Sequence, residues 1–401
     1  MKHGNAAIGF IFITVLIDIL GIGLIIPVVP ALISELTGFD NSKSSLFGGI
    51  LAATYAIVQF FAAPILGGLS DKYGRRPLLL TSLVGLGLDY IVIVFAPTLV
   101  WLFVARMISG LCGGSVTVAN AYIADISTPD NRAKNFGMIG AAFGLGFVVG
   151  PTLGGFLGEI GTRVPFMGAA ALSLLNAIYG FFVVPESLSK EDRRPFSWKR
   201  ANPFGTLKRI LSHQKIVWLV VALFVIYVAA NATHSNWSFF TIEKFGWSSL
   251  EIGLSLGFVG VMVAIVQGAL VGPIVKRIGE TNAVYTGFAF NAFGLLMMGI
   301  VTESWMVYAV IVPYAFGGIS GPSLQSIMSG QIPKNAQGEL QGGLTSVMTL
   351  TAIVGPLLMT GIFRYFTNPE NPVYFPGAPF ILATFLALIS IFIVSRSLPR
   401  G

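Results

Sequence analysis

The sequence predicts an all-α integral membrane protein of twelve transmembrane helices, arranged as two six-helix bundles related by a pseudo-two-fold axis. Three observations carry that prediction. Of 401 residues, 54% are hydrophobic and only 10% are charged, against roughly 25% charged in an ordinary soluble domain. The apolar residues form long uninterrupted runs, unlike the alternating ten-residue strands of a membrane barrel. The two halves of the chain also repeat each other at an offset of about 205 residues.

The same figures exclude other classes. Disorder requires low hydrophobicity. Cys112 is the single cysteine, so the chain is no disulfide scaffold. The net charge of +7 does not indicate nucleic acid, because such a binder needs a basic face on a soluble body.

A helix needs about 20 apolar residues to cross the hydrocarbon core. The segments that qualify are 6–33, 45–70, 77–97, 98–122, 134–158, 163–185, 214–240, 249–275, 281–302, 304–330, 338–363 and 374–396, numbered here as spans 1 to 12. Span 1 is too long for a signal peptide, contains Asp18 and lacks a cleavage site. The polar stretch 186–213 is expected to link an N-terminal bundle, 1–185, to a C-terminal bundle, 214–401. With the N-terminus inside, 19 Lys and Arg residues face the cytoplasm and 4 face outward. That asymmetry predicts that both termini are cytoplasmic. Eight of the inside cations follow span 6, from Lys190 to Lys215. They read as a solvated basic linker, with recruitment of anionic headgroups as the alternative.

In the repeat, Gly67, Gly74, Gly137 and Gly150-Pro151 fall on Gly272, Gly279, Gly342 and Gly355-Pro356. This is a parallel repeat, the arrangement in which transporters bind substrate between two bundles near the midplane.

Between spans 2 and 3 runs GGLSDKYGRRP, with Gly67, Asp71, Lys72, Gly74, Arg75 and Arg76. Its glycines permit a tight turn and close helix approach, and its charges suit bonds across the cytoplasmic mouth. A second cluster, Asp125 to Arg132, ends span 4 on the same side. The expectation is a gate network in which Asp71 pairs with Arg132.

Three ionisable side chains lie at membrane depth: Asp18, Asp89 and Arg106. Each aspartate is about 12 residues into its span, roughly 18 Å deep. A charge there costs at least about 2.5–3.5 kcal/mol, so it needs a cavity or a partner. Burial penalises the charged carboxylate, which suits a group that takes up and releases a proton. Arg106 can pair with either aspartate. In span 5, Gly146, Gly150, Pro151, Gly154 and Gly155 form a ladder of small residues that permits close backbone approach. Polar residues expected to line a cavity are Gln59, Asn120, Asn176, Asn231, Asn236, Gln267, Asn291 and Gln325, with Phe143, Trp237 and Phe240 as stacking surfaces for a planar substrate. No metal-ligand cluster, nucleophile elbow or phosphate loop is present, so neither an enzyme nor a metal or cofactor is expected.

These motifs resemble the major facilitator superfamily, and within it the twelve-helix drug:proton antiporters. GGLSDKYGRRP is similar to that family's loop between helices 2 and 3, Arg106 with Gly110 to its helix 4 motif, and GFVVGPTLGG to its helix 5 antiporter motif. Over nearly the whole chain the sequence resembles bacterial tetracycline efflux proteins, notably in LIDILGIGLIIPVVPAL, SLVGLGLDY and FGWSSLEIGLSL. The resemblance implies a secondary transporter in the bacterial inner membrane, driven by the proton gradient, exporting a small amphipathic compound as a monomer surrounded by lipid. It also implies that the span 5 packing seals the proton path. The chain departs from tetracycline exporters at Asn291, where they carry an acid, and at Val263, where they carry a histidine. A proton symporter or facilitator for a metabolite, and a lipid flippase, are the alternative readings.

Overall fold

The computed structural model describes residues 2–113, 115–127, 132–198, 201–214, 216–332 and 337–398. Every regular element among them is helical. Span 1 comprises α1 (Lys2–Ile25) and α2 (Val29–Thr37), bent by 51°. Pro27 sits in the break and biases Ile26 out of the helical region, while Pro30 suits the first turn of α2. Spans 2 and 3 are α3 (Asn41–Tyr73) and α4 (Arg75–Val94). Span 4 breaks after α5 (Leu99–Cys112) and resumes as α6 (Ser115–Ile126). Spans 5 and 6 are α7 (Arg132–Ile160) and α8 (Val164–Val183), and α9 (Pro203–Ser212) is a short linker helix. Span 7 is α10 (Val217–Phe245).

Spans 8 and 9 form one helical run of 52 residues, made of α11 (Ser249–Ile265), a π-helical turn at Val266–Leu270 and α12 (Val271–Ile300). At 1.5 Å per residue it is ~78 Å long, more than twice the hydrocarbon thickness. Gly279, at φ 80° and ψ 161°, divides it. Span 10 is α13 (Ser304–Phe316) and α14 (Ser320–Gly330) around a 3-10 turn at Gly317–Ile319, and spans 11 and 12 are α15 (Gln337–Thr367) and α16 (Ala378–Ser397). Among the described residues each of the twelve spans thus corresponds to a helix or a pair of helices.

The backbone carries the repeat seen in the sequence. Gly74 (φ 107°, ψ 161°) and Gly279 have nearly the same dihedrals, in a region closed to other residues. The break in span 4 at Gly113 and that in span 10 at Gly317–Ile319 also lie one repeat apart.

Two compact units emerge: one contains Met1–Gly38, Thr54–Asn202 and Ser248–Gly257, the other Phe39–Ala53, Pro203–Trp247 and Phe258–Gly401. The first has a core of Phe10, Ile11, Val15, Leu79, Val118, Tyr122, Ile139 and Ala142, drawn from spans 1, 3, 4 and 5. In the second, Val266 of the π turn and Ile319 of the 3-10 turn share a buried cluster with Ala283 and Ala315. The outer end of span 2 belongs to the second unit. There Asn41 Nδ2 donates to Phe239 O and Glu243 Oε2, each at 2.8 Å, and Ser42 Oγ donates to Arg364 O at 3.1 Å.

Candidate transport site

The turn between spans 2 and 3 is organised by Arg75, the first residue of α4 and only 8% exposed. Its Nη1 donates to Asp71 Oδ1 at 2.5 Å and to Ser70 Oγ at 2.6 Å, and its Nε donates to Asp125 Oδ2 at 3.0 Å. Asp71 and Asp125, expected in one network, thus meet through Arg75. The side chain of Arg132, the expected partner of Asp71, lies outside the described residues. Arg76 turns the other way, donating to Phe181 O at 2.6 Å and covering the Phe181 ring. Lys72 is exposed and lies over the Tyr73 ring. A Cβ at Gly67 would meet only Thr117, at 4.0 Å.

Deeper in the first unit, Asp89 is fully buried, and its Oδ2 accepts from Arg106 Nη2 and from Ser109 Oγ, each at 3.0 Å. Arg106 therefore pairs with Asp89. Asp18 is 6% exposed and its oxygens make no ion pair and no close hydrogen bond, the Ser115 side chain being their polar neighbour. Gly110 lets spans 2 and 4 approach here, since a Cβ on it would stand 2.8 Å from Tyr55 O. Beside it, Gln59 Nε2 donates to Tyr55 Oη at 2.9 Å and to Gly113 O at 3.1 Å, at the break in span 4. Gln267 occupies the matching place in the second unit: its Nε2 lies 3.2 Å from a Cβ built on Gly318, at the break in span 10. A π turn and a 3-10 turn face each other there, and such irregular backbone at membrane depth requires burial or a cavity.

The span 5 ladder has two working faces. Gly146, Gly150, Gly154 and Gly158, spaced by four, lie on one side of the helix. Gly146 sits against Ile19, Gly150 against Leu20 and Gly23, Gly154 against Leu24 and Gly158 against Val28, all in span 1. Gly155 and Pro151 O instead meet Gly253 and Ser249 of span 8. The adjacent pair Gly154-Gly155 is explained by that division.

The remaining polar residues are dispersed. Asn120 is half-buried. Asn176 is buried and accepts from Thr14 at 3.5 Å. Asn231 donates to Tyr227 O and Thr351 O and packs on Gly355. Asn236 is fully buried with neither side-chain atom bonded, and Asn291 Oδ1 is buried and unbonded. Gln325 donates to Gln341 Oε1 at 2.7 Å on an exposed surface. Phe143 packs against the first unit's core. Trp237 is 2% exposed, and Phe240 is enclosed by Phe380 and Phe245. These two rings pack within the protein.

Sequence reasoning missed Ser109, Ser70 and Glu186. Ser109 had a signal, being one helical turn from Arg106. Glu186 had none, because it meets Arg75 across 111 residues.

A family model described as Major Facilitator Superfamily matches residues 11–356. The chain belongs to the major facilitator superfamily. Among similar members of known role is the tetracycline resistance protein, class C, of Escherichia coli, 38% identical over 389 residues and covering 97% of each chain. Two solved structures show the shared fold. The nucleoside transporter NupG superposes with a TM-score of 0.80 at 11% identity, over 98% of this chain and 99% of that one. The human organic anion transporter MFSD10 (TETRAN) gives 0.74 at 24% identity, over 98% and 99%. As a major facilitator protein the chain is a multi-pass membrane transporter and not an enzyme. Major facilitator transport requires no cofactor, and among the described residues no group of His, Cys, Asp and Glu is suited to a metal ion.

Proposed function

We propose that this chain exports a small amphipathic organic compound in exchange for protons, by alternating access, as a monomer in the bacterial inner membrane with both termini cytoplasmic. The observation that supports this best is the contrast between two aspartates in one unit. Asp89 is neutralised by Arg106, whereas Asp18 is buried with no cation beside it and only the Ser115 side chain as a polar neighbour. An unpaired carboxylate at membrane depth is costly when charged, so a proton is its natural counterpart. Asp18 is the leading carrier, Asp89 the second site, and Arg106 the group that modulates them.

The second half lacks such groups, and Asn291, Gln267 and Asn231 supply neutral amides there. That composition suits hydrogen bonding to a neutral part of the substrate. The Asp71–Arg75–Asp125 cluster serves as the cytoplasmic gate, and the span 5 ladder as a seal against proton leak. The bundles of the transport cycle are residues 1–185 and 214–401.

The test is efflux from everted membrane vesicles under an imposed pH gradient, with tetracycline among a panel of amphipathic drugs. Coupled proton and drug movement, lost in Asp18→Asn, is the expected result. Drug movement without proton flux, or unchanged coupling in the Asp18→Asn, Asp89→Asn double variant, refutes the exchanger reading.

A further inference from the structure

By sequence, the segment after span 6 reads as a solvated basic linker. Its first dozen residues instead fold back onto the turn between spans 2 and 3. Glu186 Oε1 accepts three backbone N–H groups: Arg75 at 2.8 Å, Ser187 at 3.0 Å and Leu188 at 3.1 Å. Arg75 opens α4, and the residue before it is Gly74, which has no side chain to cap the helix. Glu186 supplies from a distance the acceptor that a local cap would provide, and its charge suits a helix N-terminus.

Further contacts fasten the same segment. Tyr122 Oη donates to Pro185 O at 2.8 Å. Ser187 Oγ donates at 3.1 Å to Asp125 Oδ2, the oxygen already held by Arg75 Nε. The Arg194 N–H donates to Asp71 O at 3.0 Å. The Phe196 ring lies on Gly68, where a Cβ would stand 3.0 Å from Cδ2. Between this segment and the turn lies a polar cleft of about 410 Å³, whose walls include Asp71, Arg75, Asp125, Ser187, Asp192 and Arg194.

The repeat provides an internal control. Gly279 has the dihedrals of Gly74, yet a Cβ there would meet nothing within 4 Å. The turn itself therefore needs no cover. What the cover holds is Arg75 and its two carboxylates.

We infer that residues 185–196 form a strap and that Glu186 is a positioning residue. It fixes the start of span 3 so that Arg75 bridges Asp71 and Asp125. The role in transport rests on reading that cluster as the cytoplasmic gate.

Hydrogen–deuterium exchange on the purified full-length chain tests the strap without any substrate. In Glu186→Ala, the amides of Arg75, Ser187 and Leu188 should exchange roughly tenfold faster or more, as expected when a bond to a charged acceptor is lost. The Arg194 amide, which Glu186 does not touch, should follow. Glu186→Gln retains an acceptor oxygen and should restore most of the protection. Gly68→Leu displaces Phe196 and should release the segment around Arg194 with Glu186 intact. Unchanged exchange at Arg75 and Arg194 in Glu186→Ala overturns the strap. The second arm is tetracycline efflux from everted vesicles, where Glu186→Ala should lower kcat several-fold at unchanged KM and Glu186→Gln should recover it. Coupled exchange with an unaltered kcat overturns the positioning role. If the parent chain pumps no tetracycline, it is the substrate reading that fails, and the exchange arm still decides the strap.

Discussion

Removing the cation from the Asp89–Arg106 pair should cost more than removing both charges. Asp89 is fully buried, while the Arg106 side chain is 17% exposed. Arg106→Met strands a buried carboxylate, a change worth about 3–5 kcal/mol for a buried pair. The Ser109 hydroxyl remains bonded to Oδ2, which places the loss near the lower end, about 3 kcal/mol. Asp89→Asn keeps an acceptor for Ser109 and leaves the guanidinium its partial exposure, so it should cost about 1–2 kcal/mol. With both changes no charge is left in the site, and the loss should fall below that of Arg106→Met alone. The cycle then yields a coupling of more than about 1–2 kcal/mol. Thermal unfolding of the three variants and the parent in one detergent gives the order of Tm. A double variant as unstable as Arg106→Met would show that Arg106 does not act by neutralising Asp89.

Three further outcomes are expected. Asp18→Asn breaks no ion pair and keeps an acceptor oxygen for Ser115, so its Tm should equal or exceed that of the parent while drug-dependent proton flux, read by a pH-sensitive dye in vesicles, is lost. Gly154→Ala drives a Cβ into the Leu24 backbone and should cost about 1–3 kcal/mol by overpacking; Gly140→Ala, which faces open space, should leave expression and Tm unchanged. Alanine at Gly74 or Gly279 meets a positive φ at a cost of roughly 1–2 kcal/mol. Gly74→Ala should lower Tm further than Gly279→Ala, because only its Cβ also collides with the Glu186 carboxylate.

Much of the fold is legible in the sequence because the membrane imposes rules that act locally. A segment either supplies about 20 apolar residues or it does not, and twelve of them do. The sequence separates spans 8 and 9 between 275 and 281, and the structure divides their 52-residue run at Gly279. The bend at Pro27 follows from a residue that disfavours helix in the one before it.

The site was legible in part, for a related reason. Asp18, Asp89 and Arg106 stand out because charge at membrane depth is rare, whatever surrounds it. Their pairing was not readable. Helix periodicity places each residue on a face but does not say which faces meet, and only the packed bundle assigns Arg106 to Asp89 and leaves Asp18 without a cation. Phe240 and Trp237 illustrate the same limit, because a buried aromatic and a cavity-lining one have the same sequence signature.

The sequence by itself determined the class, the number of spans, the repeat and the short list of membrane-depth charges, since each depends on composition or spacing along the chain. The tertiary structure decided everything that depends on partners distant in sequence. The two faces of the span 5 ladder, the bridging role of Arg75 and the return of Glu186 across 111 residues are of this kind. A hydrogen bond is set by a few tenths of an ångström between atoms that the sequence leaves far apart, and only folding brings them together.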